Sequence, residues 1–69
     1  MPYVNIRLTD EAVTADEKTT LIAEVTGLLQ RVLGKDPATT HVVIDEVPLA
    51  NWGVGGLPAE EYRRRRRRD

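Results

Sequence analysis

The chain of 69 residues contains no cysteine, one histidine, one tryptophan and one methionine. Without cysteine there are no disulfides and no thiolate metal site. A lone His41 argues against a zinc centre, which draws on several such ligands. No run of residues is long and apolar enough to span a bilayer. The N-terminus lacks a basic segment followed by an apolar one, so no signal peptide is expected and the cytoplasm is the expected compartment. A chain this short is marginal alone, and with disulfides and metal set aside, association with other chains is the remaining way to bury more surface.

What is present is divided by charge. The net charge of −1 hides a body over residues 1–62 with four basic side chains (Arg7, Lys18, Arg31, Lys35) against ten acidic ones, followed by Arg63–Arg68 and Asp69. The body is acidic and the end is a cationic block.

Val4, Ile6 and Leu8 alternate with Tyr3, Asn5 and Arg7, which predicts a strand over residues 2–8 with two unlike faces. Thr14 with Glu17 three residues on forms a capping-box pattern, and Asp16 and Glu17 suit the positive end of a helix dipole. From Ala15 to Leu33, apolar residues at 21, 22, 25, 28, 29, 32 and 33 make one continuous helical stripe. Gly34 is placed to end that helix and Pro37 prevents a restart. Residues 40–47 predict a second strand, and 51–57, rich in glycine, a turn or small hairpin. Strand, helix and strand make a βαβ unit with parallel strands, of the α/β (α+β) class. One helix covers one face only. The other face (Tyr3, Asn5, Arg7, His41, Val43, Asp45) stays open, so obligate oligomerisation is expected.

Pro2 directly follows Met1. Removal of Met1 would leave a secondary amine, and a free α-amino group titrates near pH 7.7–8.0, lower still in an apolar site. A base poised near neutrality suits proton-transfer catalysis. A proline also starts a strand without loss, since no ladder donor is required there.

These parts together resemble the 4-oxalocrotonate tautomerase family. The likeness runs over about residues 2–57: Pro2 opening a strand, the Thr14–Leu33 helix, the Leu33-Gly34-Lys35 exit, the strand His41–Glu46, and the Trp52-Gly53-Val54-Gly55-Gly56 turn. The resemblance implies a tautomerase-like domain over residues 1–62, assembled as a homo-oligomer, a hexamer built as a trimer of dimers. It implies a cofactor-free, metal-free isomerase whose N-terminal proline moves a proton within a small enol or keto acid. Pro2 then stands where the family's catalytic proline stands, and Trp52 where an aromatic residue lines the substrate. Two arginines used by well-known members are missing: the loop reads Thr9-Asp10-Glu11-Ala12-Val13, and His41 opens the second strand. His41 is either a hydrogen-bond donor to a developing oxyanion or a strand residue at a subunit contact. Arg7 is either a substitute substrate anchor or the partner of Asp45 on the same face. Trp52 is also a natural packing anchor at an interface. A non-catalytic oligomeric member, or a structural chain in a mixed hexamer, are the other readings.

Blocks of like charge are usually disordered, so residues 63–69 are expected to form an arginine-rich disordered tail. Such a tail either stays solvated, folds back on the acidic body, or binds a polyanion. The candidate polyanions are nucleic acid, anionic lipid and an acidic protein; with no aromatic residue inside Arg63–Arg68, specific nucleic-acid binding is not the favoured reading.

Overall fold

A computed structural model of the chain describes residues 1–68, and side chains through Arg66. Strand β1 runs Tyr3–Thr9, helix α1 Ala15–Leu33, and strand β2 His41–Val47. A 3-10 turn at Leu49–Asn51 leads into the short strands β3 (Gly53–Val54) and β4 (Leu57–Pro58), then helix α2 (Ala59–Arg68).

β1 and β2 pair in parallel, with Tyr3 opposite His41, Ile6 opposite Ile44 and Thr9 opposite Val47. The alternation holds in space: Val4, Ile6, Leu8, Val42 and Ile44 are half-buried, whereas Tyr3, Asn5, Arg7, His41 and Val43 are exposed. Period two sorts residues onto the two faces of a strand, and α1 shields one of them.

α1 begins where the capping box places it. The Thr14 hydroxyl accepts the Glu17 N–H at 3.1 Å, and the Glu17 carboxylate accepts the Thr14 N–H at 2.9 Å. It ends at Gly34, whose φ of 67° is the left-handed geometry that favours glycine, with its N–H on the Gln30 carbonyl at 2.9 Å. Leu21, Val25 and Leu29 are half-buried, and a Lys18–Glu46 ion pair ties the helix to β2. The stripe is wider than the sheet beneath it. Ile22, Leu28, Val32 and Leu33 remain exposed, and among the described residues only Ala59 is buried. One chain therefore has faces for a core but no closed core.

α2 corrects the expectation of a disordered tail from residue 63 onward. Residues 63–68 continue a helix that starts at Ala59. Glu60 and Glu61 occupy its first turn, where acids suit the dipole, and meet Arg64 and Arg65 at spacings of three and four residues. Asp69 lies outside the described residues.

Candidate active site

Pro2 lies just before β1, where its missing N–H leaves no gap in the ladder. Its carbonyl accepts the His41 N–H at 2.9 Å. This bond brings two of the sequence-predicted residues together at the opening end of the sheet. Pro2 is half-buried and His41 exposed, while Met1 projects outward at 88 % exposure.

Arg7 lies five residues along β1, about 16 Å from Pro2 at the usual rise of a strand. It faces Asp45 across the ladder, Nη2 to Oδ2 at 3.6 Å. Asn5 donates to the same carboxylate oxygen at 2.8 Å. Of the two readings of Arg7, the contact that forms within one chain is the one with Asp45.

Trp52 follows the far end of β2, beyond the 3-10 turn. Its N–H donates to the Leu49 carbonyl at 3.2 Å, and its own carbonyl accepts the Ala59 N–H at 2.7 Å. A seven-residue strand separates the two ends of the sheet by about 20 Å. Within one chain, Pro2 and Trp52 therefore stand at opposite ends and do not share a pocket.

The far end is also where the acidic loop lies. The Asp10 N–H extends the ladder to the Val47 carbonyl at 2.8 Å, and Ala12 takes a left-handed φ of 65°. Between them Glu11 receives two hydrogen bonds from Arg63, Nη1 to Oε1 at 2.5 Å and Nη2 to Oε2 at 3.1 Å, and a third from the Thr9 hydroxyl. The hydrogen bonds from Arg63, then that from Thr9, pull the Glu11 carboxyl down from 4.5 to about 2. Glu11 in turn raises the Arg63 guanidinium. Bonds from Arg64, then Arg65, likewise lower Glu61. Nearby, a largely apolar groove of about 490 Å³ is lined by Leu8, Val13 and Leu21 together with Asp16, Glu17 and Thr20.

The sequence allows the cationic run to fold back on the acidic body but does not mark Arg63 and Glu11 as the pair that meets. The nearest signal is the spacing of Glu60 and Glu61 ahead of Arg64 and Arg65, which argues for a helix there. Among the described residues, no three of His, Asp and Glu converge as a metal site would require, and no helix is long and apolar enough to cross a membrane.

Comparison with known proteins follows the same outline. A family profile described as "Tautomerase enzyme" matches residues 2–62. "Probable tautomerase K2" of Dickeya dadantii (strain 3937) is 59% identical over 63 residues, spanning 91% of this chain and 94% of that protein. The 2-hydroxymuconate tautomerase of Comamonas testosteroni is 34% identical over 64 residues, 93% of this chain and 100% of its own. The crystal structure of DmpI from Helicobacter pylori superposes with a TM-score of 0.82 at 39% identity, covering 87% of this chain and 98% of that one.

Proposed function

The chain belongs to the tautomerase family, enzymes that interconvert keto and enol forms, and from that premise we propose that Pro2, uncovered by removal of Met1, is its general base. The observation that carries the proposal is the placement of Pro2. Its carbonyl is pinned to His41, so its ring nitrogen is held at the rim of the sheet with only the exposed Met1 attached.

The amine, uncharged, takes a proton from the enol of a small carbonyl acid. Negative charge collects on the substrate oxygen, where His41 donates a hydrogen bond. The protonated ring then returns the proton to a carbon of the same molecule. Atoms and electrons balance without any co-reactant, and the chain's own residues supply both the base and the hydrogen-bond donor. Trp52 contributes an aromatic wall. Since it lies at the other end of its own sheet, the wall beside Pro2 comes from a neighbouring protomer of a homo-oligomer, the hexameric trimer of dimers that the family resemblance implies.

The 2-hydroxymuconate tautomerase relative makes 2-hydroxymuconate the first substrate to test, with phenylenolpyruvate second. Pro2→Ala is expected to lower kcat/KM by ~10²-fold or more, the usual contribution of a positioned base. Intact mass should show Met1 absent from the active protein. Equal rates in the native and Pro2→Ala chains would remove the proline from the mechanism.

A further inference from the structure

The turn that carries Trp52 is part of a small unit at the end of the chain. The Ala59 N–H holds the Trp52 carbonyl at 2.7 Å, and Ala59 is the one buried residue among those described, at 4 % exposure. The Tyr62 ring lies against Gly55: a Cβ placed there would come within 3.0 Å of it, and Gly55 has a φ of 60° besides. Turn, hairpin and α2 are thus locked to one another. On the sheet side this unit hangs from Val47 and Pro48. Its second tie to the body is the pair Arg63–Glu11, across 52 residues of sequence.

We propose that Arg63 and Glu11 form an electrostatic clasp that positions the Trp52 turn, and that its release makes the enzyme salt-sensitive. The clasp acts through placement and touches no substrate, so both are positioning residues. The inference rests on the wall role of Trp52 for its catalytic consequence, but not for its structural one. The geometry favours a clasp over an incidental contact in three ways. Two N–H···O bonds run from the two terminal nitrogens of the guanidinium to the two oxygens of one carboxylate, a bidentate pairing. The Thr9 hydroxyl buttresses the same carboxylate from β1. Arg64 and Arg65 are engaged with Glu61 on their own helix, leaving Arg63 as the described arginine of α2 that reaches the body. Both partners are about half exposed, at 45 % and 42 %, so salt reaches the pair and weakens it.

Trp52 is the one tryptophan of the chain, which gives the clasp a direct optical reporter. Arg63→Gln keeps a good helix former at an exposed position, so α2 itself should persist, as circular dichroism will check. In this variant Trp52 emission should shift to the red, and the Ala59 amide should exchange faster, by up to about 5-fold, the scale expected from losing one exposed ion pair. About 1 M salt should move the native protein toward the variant and change the variant less, since the remaining exposed pairs are screened in both. The paired exchange Glu11→Arg with Arg63→Glu should restore both signals. With 2-hydroxymuconate the variant should show a raised KM at nearly constant kcat, as fits a displaced wall and an intact base. Unchanged emission and unchanged Ala59 exchange in Arg63→Gln would overturn the clasp, whatever the activity. If both signals move and KM stays constant, the clasp stands and the wall role of Trp52 falls.

Discussion

A ring nitrogen at position 2 has basicity only while nothing acylates it, so the chemistry proposed for Pro2 depends on a cleavage event as much as on a fold. Glu11 is the residue whose electrostatics the structure defines most sharply. Its folded pKa of about 2 lies below the ordinary 4.5. A depressed carboxylate binds its proton less readily when folded than when unfolded. Its contribution to stability is therefore fully present above the ordinary value and fades as pH falls through about 2. Carbon-13 titration of the Glu11 carboxyl should accordingly show it still ionised at pH values where other glutamates are already neutral. Arg63→Gln should bring it back toward the ordinary range, because the largest cause of the shift is removed. A Glu11 midpoint indifferent to Arg63 would contradict the pairing.

At the scale of elements, α1 rests on a local device that mutation can isolate. The Thr14 side chain serves the Glu17 N–H, and Ala there should cost about 1 kcal/mol of stability in chemical denaturation, the usual effect of a lost N-cap. A negligible change would mean that packing alone sets the helix start. The same locality explains what was legible in the sequence. β1, α1 and β2 announce themselves because period two and period 3.6 each sort a face within a dozen residues, and the box at Thr14 and the glycine at 34 mark the ends of α1. α2 is different. Six like charges in a row predict repulsion, and the contacts that answer it come from the preceding Glu60 and Glu61 and from Glu11, on another element. The candidate site was legible as parts but not as an arrangement. Pro2 and His41 open neighbouring parallel strands and so had to meet, whereas the separation of Trp52 from Pro2 depends on which end of the sheet the chain leaves.

As a whole molecule, the single chain is under-buried for its size. Its radius of gyration is 15.9 Å, against about 11 Å for a compact domain of this length. Its accessible surface is 5246 Å², against about 4300 Å² for a compact monomer of this mass. The excess is apolar in the places that matter: Tyr3 at 65 % and Val43 at 41 % exposure on the open face of the sheet, Val32 at 68 % on the outer stripe of α1. Neither disulfide nor closed core offsets that exposure, so the fold and the assembly should form together. Val43→Glu tests this on the sheet face. A fully buried valine contributes roughly 1.5–3 kcal/mol, and a carboxylate in its place adds a desolvation cost. Every copy in a symmetric assembly bears the change, so the effect multiplies. Sedimentation should show the native assembly replaced by smaller species, with helical signal lost in step because the freed chain has no core of its own. A Val43→Glu protein that stays assembled would show that the open sheet face is not where the copies meet. One that dissociates yet keeps its helical signal would show that a single chain, despite its exposed surface, holds this fold alone.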